Sequence, residues 1–159
     1  MKKLFIIISI ILVIILGILY IPKESPQKEE PLPIKLQQPE FFLSEKPTNE
    51  LVLQACEYYG IKHSKIVLAQ AILETGNYQS GNCRIGNNLF GLYNSKKQEF
   101  FTFDKWYHSV EFYRNNIQNR YKGEEDYYKW LEKIGYAEDT LYVQKLKQID
   151  KMFINKKFI

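Results

Sequence analysis

Glu74 is the residue of this chain most plainly placed to do chemistry. It follows Ile66 to Leu73, a run that is apolar apart from Gln70, and precedes Thr75-Gly76-Asn77, where the chain must turn. A carboxyl leaving an apolar core at the C-terminal end of a helix has its charged form disfavoured twice, by lost solvation and by the helix dipole. Both effects favour an acid that keeps its proton near neutral pH, as protonation of a glycosidic oxygen requires. On these residues alone, a plain helix-end carboxylate pointing to water is the somewhat readier reading.

A second polar group lies downstream. Gly86, Asn87, Asn88, Leu89, Phe90 and Gly91 combine paired amide donors and acceptors, which suit sugar hydroxyls and N-acetyl groups, with glycines that let backbone approach a ligand. The same residue types also make ordinary turns. His63 and His108 lack carboxylate or thiol neighbours at metal spacing, so surface or capping roles are expected, with no metal or other cofactor. Cys56 and Cys83 are too few for a disulfide framework and have no CxxC spacing; a single disulfide between them and a pair of buried free thiols both remain open.

The elements that must position these groups are helical. From 48 onward there is no proline, and the residue pattern predicts five helices. The first runs from Asn49 to Tyr59, with Thr48 as N-cap and Gly60 as the stop. The second, capped by Ser64 and stopped by Gly76, is apolar nearly all round and should be the central buried helix. A third, from Lys105 to Tyr121, shows an amphipathic stripe of Trp106, Val110, Tyr113, Ile117 and Tyr121, with Asp104 as its cap and Glu111 on its solvated side. A fourth holds Tyr127, Trp130, Leu131 and Ile134 before Gly135, with Glu124, Glu125 and Asp126 as its acidic first turn. The fifth starts near Asp139 or Thr140 and turns Leu146, Ile149 and Phe153 inward. Between the second and third, Gln98 to Phe103 has the aromatic and Thr content of a short strand or hairpin. The fold class expected is all-α with a small β-hairpin.

Upstream the composition changes. Residues 4–20 are apolar except for Ser9 and Gly17, follow Lys2 and Lys3, and approach the length of a bilayer-spanning helix. With neither a small-residue cleavage site nor a lipobox cysteine, an uncleaved anchor is expected, with a cytoplasmic N-terminus and the rest translocated. All six prolines fall within 21–47, which reads as a stiff tether whose last part, around Phe41, Phe42 and Leu43, can dock on the domain. The expected organisation is therefore 1–21 anchor, 22–47 tether and 48–159 domain. A hydrophobic fraction of 45% and a charged fraction of 25% fit a folded chain of 159 residues. The net charge of +4, spread among acidic residues, argues against a nucleic-acid groove.

Taken in order, VLAQAILETGN at 67–77, GNNLFGL at 86–92, FDKW at 103–106 and GYAED at 135–139 resemble the glucosaminidase domain family, glycoside hydrolase family 73, which includes flagellar muramidase domains and autolysin endo-β-N-acetylglucosaminidases. The resemblance implies a lysozyme-like helical domain that cleaves the glycan strands of peptidoglycan, facing the periplasm or cell wall from a single-pass anchor in the bacterial cytoplasmic membrane. It matches Glu74 to the family's catalytic acid, and Tyr136 to a Tyr that faces the cleft and supports catalysis. Asn88, Phe90 and Gly91 fall on the cleft motif and are implied to frame and bind substrate. The chain departs from the pattern after this motif, where the hairpin is short and the usual second carboxylate has no clean counterpart; Glu99 is the best replacement. That departure keeps two other readings open, a lytic transglycosylase working with one Glu and a wall-binding or assembly module with reduced catalysis.

Overall fold

The computed structural model describes residues 38–155, so the expected anchor and most of the tether lie outside the described residues. Among the described residues, no helix is long and apolar enough to cross a membrane. The compact unit that holds the helices begins at Gln38. Its first element is a 3-10 helix, Glu40–Leu43, which sets the fully buried Phe41 among Tyr58, Tyr59, Trp106 and Tyr107, with ring centroids 5.5 to 6.2 Å away. Trp106 Nε1 donates to the Ser44 carbonyl at 3.1 Å. The end of the proline-rich stretch is thus part of the core, because burying an aromatic ring outweighs the cost of ordering a few residues.

Helix α1, Asn49–Tyr58, starts where Thr48 Oγ1 accepts the Leu51 N–H and ends ahead of Gly60, which takes φ 67°. Helix α2, Ser64–Thr75, packs against α1 and against the last helix, α6, Tyr142–Asn155. Two neighbours on different sides explain why α2 is apolar nearly all round. Its start differs from expectation. His63, not Ser64, holds the N-cap position, in a left-handed conformation (φ 56°) and without a side-chain cap, and its carbonyl takes the first N–H groups, of Ile66 and Val67. The His63 ring stacks on Tyr127 at 4.8 Å, a contact that no local pattern announces.

A short helix the sequence did not announce, α3, Gly81–Arg84, follows, capped by Ser80. Strands β1, Tyr93–Asn94, and β2, Glu99–Phe100, then form one antiparallel hairpin with Tyr93 opposite Phe100 and Asn94 opposite Glu99. The strand expected as far as Phe103 stops at Phe100, because Phe101 and Phe103 turn their rings onto Phe112 instead. The observed class is mostly helical with a small two-stranded sheet.

Helix α4, Trp106–Asn116, buries Trp106, Val110 and Tyr113 and leaves Glu111 exposed, as its stripe requires. Asp104 does not cap it; Lys105 holds that position with no side-chain cap, while the Asp104 carbonyl accepts from Asn87. The helix ends at Asn116 and tightens into a 3-10 turn, Gln118–Arg120, where Gln118 is drawn inward to bond the backbone of Lys62. Helix α5, Tyr127–Lys133, has Asp126 as its N-cap, accepting from Tyr128 and Lys129, so Glu124 and Glu125 precede the first turn rather than forming it. Asp139 accepts the Leu141 N–H ahead of α6, whose helical residues start only at Tyr142.

Candidate active site

Helix α2 delivers Glu74 at its C-terminal end, where the chain reverses through a Schellman pair, Gly76 N–H to Leu73 O at 3.4 Å and Asn77 N–H to Ile72 O at 2.9 Å. Thr75 locks the reversal, donating to Ala71 O at 2.6 Å and accepting from Tyr78 N–H at 2.7 Å. Gly76, Asn77 and Tyr78 all have positive φ, so the chain leaves the helix sharply and Glu74 is left half-buried rather than solvated. Burial raises its pKa above the ordinary carboxyl value, and the neighbouring Tyr142 hydroxyl pulls the other way. The net direction is that of an acid which holds its proton longer than a surface Glu.

The GNNLFG turn meets this carboxyl at Gly91. There φ is +60°, and a Cβ would stand 2.9 Å from Glu74 Oε2, so a side chain is excluded both by backbone conformation and by the acid itself. Asn88 organises the turn from beneath. Its Oδ1 accepts from Phe90 N–H at 3.3 Å and Leu92 N–H at 2.9 Å, and its Nδ2 donates to Leu92 O at 2.9 Å and Phe101 O at 3.0 Å. A buried amide so engaged has no capacity left for a sugar. Phe90 is likewise buried, its ring 4.6 Å from that of Tyr113, and its carbonyl accepts the Tyr136 hydroxyl at 3.2 Å.

Tyr136 stands beside Glu74. Its ring stacks on Tyr142 at 5.6 Å, and its phenol is held far above the ordinary value by burial and then by the Glu74 charge. Glu74, the Phe90 backbone, Gly91 and Tyr136 are therefore brought together. Glu99 is not part of that group. It is exposed on β2, its carboxylate 3.8 Å from Lys97 Nζ. Cys56 and Cys83 are free thiols, both buried, and burial pushes Cys56 up to about 12 and raises Cys83 as well. They pack as small apolar side chains with little thiolate character.

An open cleft of about 690 Å³ lies elsewhere, lined among others by Glu45, Glu50, Asn77, Gln79, Arg84 and Asn87, and Glu74 is not in its walls. It contains no buried acid. Glu45 and Glu50 are exposed, and Lys105 holds the Glu45 carboxyl below the usual range.

Residues the sequence did not single out complete the site. Tyr142, whose hydroxyl lowers the Glu74 pKa, accepts from Gln70, and Gln70, Tyr113, Tyr127 and Gln118 are buried and hydrogen-bonded in turn. The available signal was Gln70 itself, since an amide inside an apolar helix must find partners.

No curated protein matches the chain. Residues 49–153, from the first residue of α1 to near the end of α6 and thus including every group described around Glu74, match the model of the Glucosaminidase family, mannosyl-glycoprotein endo-beta-N-acetylglucosaminidase, and the chain belongs to that family of glycoside hydrolases.

Proposed function

We propose that the protein is an endo-β-N-acetylglucosaminidase of peptidoglycan glycan strands, built on a lysozyme-like helical frame, with Glu74 as the general acid. The observation that carries this reading is the half-buried Glu74 carboxyl with its raised pKa, closed over by Gly91 and flanked by Tyr136 and Tyr142. A proton held there is delivered to the glycosidic oxygen as the bond to the anomeric carbon breaks, and the leaving sugar departs as an alcohol. Tyr136, tied to the Phe90 carbonyl, keeps one face of the acid in place. Asn88 and Phe90 act by framing the turn. Water then adds to the anomeric carbon, activated by a second carboxylate or assisted by the substrate's own acetamido group. Glu99, on the hairpin that leaves Gly91, is the carboxylate we assign to that second role. In this reading residues 1–21 anchor the enzyme in the bacterial cytoplasmic membrane, and the tether carries the domain toward the wall.

Incubating the full chain and its Glu74→Gln variant with purified sacculi, and identifying the new ends by mass spectrometry, tests the proposal. Fragments ending in reducing N-acetylglucosamine, absent with the variant, are expected; undiminished release by Glu74→Gln sinks the assignment. Glu99 lies exposed on the hairpin beside Lys97, and a lytic transglycosylase, which works with one Glu, is the second reading. Anhydro-muramyl ends in the same digest would select it.

A further inference from the structure

The open cleft of about 690 Å³ does not have Glu74 in its walls, yet it is built on the two segments that meet at that residue. Asn77 and Gln79 line it shortly after Glu74 in the chain, and Asn87 lines it shortly before Gly91, the glycine held against Glu74 Oε2. From Glu74 to Asn77 is three residues of chain, at most about 11 Å, so the near wall of the cleft lies within that distance of the Glu74 backbone. The wall is stiffly held. Gly76, Asn77 and Tyr78 take φ of 55°, 58° and 66° in succession, a left-handed run that only its surroundings can keep in place. The Tyr78 hydroxyl donates to Asn49 Oδ1 at 2.9 Å, which ties this turn to the first residue of α1 and leaves the Asn49 amide nitrogen to donate elsewhere. The lining carries both signs of charge. Glu45 is paired with Lys105 at 2.8 Å, whereas Lys46, Glu50 and Arg84 are exposed and, among the described residues, form no ion pair. Two cations and one carboxylate set among the amides of Asn49, Asn77 and Gln79 match a ligand with peptide groups, more than one carboxylate and an ammonium. An uncharged N-acetyl sugar would leave all three charges unused.

We propose that this cleft binds the short peptide carried by a peptidoglycan strand, so that the enzyme acts on peptide-bearing strands in preference to bare glycan. The inference rests on the reading of the protein as a peptidoglycan hydrolase and deepens it to a substrate class. Arg84 presents a planar fork to a peptide carboxylate, Lys46 a point charge to a second, and Glu50 receives the ammonium group. An extended peptide of three or four residues covers about 10–14 Å, which matches the reach from Glu74 to the cleft.

The test gives the full chain two soluble substrates, glycan strands that keep their peptides and the same strands after an amidase has removed them. The parent is expected to show a KM at least about tenfold lower for the peptide-bearing strands. Arg84→Gln and Glu50→Gln should each shrink that ratio, and the double variant Lys46→Gln with Arg84→Gln should bring it close to unity. Lys129→Gln, which removes an exposed cation outside the cleft, should keep the parent's ratio. A parent that treats both strands alike overturns the proposal, as does a ratio that the double variant retains. Calorimetric binding of a peptide-bearing disaccharide and of its peptide-free form to Glu74→Gln, with and without Arg84→Gln, reads the cleft apart from the chemistry. Binding that needs both the peptide and Arg84 upholds the cleft even if the parent digests neither strand, a result that would remove the hydrolase reading instead. Binding indifferent to the peptide overturns the cleft and leaves the hydrolase reading standing.

Discussion

The two sides of Glu74 are built on different physics. Toward the core, α2, α4, α5 and α6 surround it with Gln70, Tyr113, Tyr127 and Tyr142, each buried and each hydrogen-bonded within the group. Toward solvent, the hairpin consists of two-residue strands, with Tyr93 and Phe100 51% and 46% exposed and an exposed Lys97–Glu99 pair. Asn88 joins the two, because it bonds Leu92 on one side of the hairpin and Phe101 on the other. The comparison teaches that the buried side of Glu74 is tightly specified, since a misplaced polar group there is costly, while the exposed rim can vary at little cost to stability.

Glu74→Gln tests the buried side with the largest expected effect, a loss of turnover of about 10²–10⁴-fold in sacculus digestion. The same variant has a stability signature. A carboxyl whose folded pKa is raised stabilises the fold fully only below its unfolded value, 4.5, and that contribution is lost as pH rises through the folded value. Glu74→Gln should therefore melt at a higher temperature than the parent at neutral pH, with the advantage vanishing in acid; no pH dependence in the difference would mean an unperturbed carboxyl.

Asn88→Leu breaks the junction. It strands the Phe90 and Leu92 N–H groups and the Phe101 carbonyl, while the Leu92 carbonyl keeps the Phe101 N–H, and is expected to cost about 2–4 kcal/mol in denaturant unfolding, with activity falling in step. Gly91→Ala is smaller in stability, about 1–2 kcal/mol for a left-handed Ala, yet it pushes on Glu74 Oε2 and should lower turnover at least roughly tenfold even where the protein is fully folded. Glu99→Gln probes the rim. Unfolding free energy should stay within about 0.5 kcal/mol of the parent while turnover falls, and unchanged turnover would take Glu99 out of the mechanism.

Much of this molecule was legible before its fold. Thr48 and Gly60 bound α1, Gly76 ends α2, and the Trp106, Val110, Tyr113 stripe faces inward, because caps, stops and periodicity act over a few residues. Glu74 stood out for the same reason. Other features of the chain were not legible. Nothing near Ser64 reveals that His63 will start α2 by stacking on Tyr127, and nothing near Asp104 reveals that its carbonyl is claimed by Asn87. The hairpin's extent depended on where Phe101 and Phe103 found Phe112.

The amino-acid sequence by itself determined the five longer helices, the turn glycines, the family motifs and a carboxyl at the end of an apolar helix, all of which are local patterns. Only the tertiary structure decided what surrounds that acid. Gln70 meets Tyr113 across 43 residues and Tyr142 across 72, and Gly91 reaches Glu74 from a separate turn. Burial, hydrogen-bond direction and the resulting pKa are properties of assembled neighbours, and packing alone brings those neighbours together.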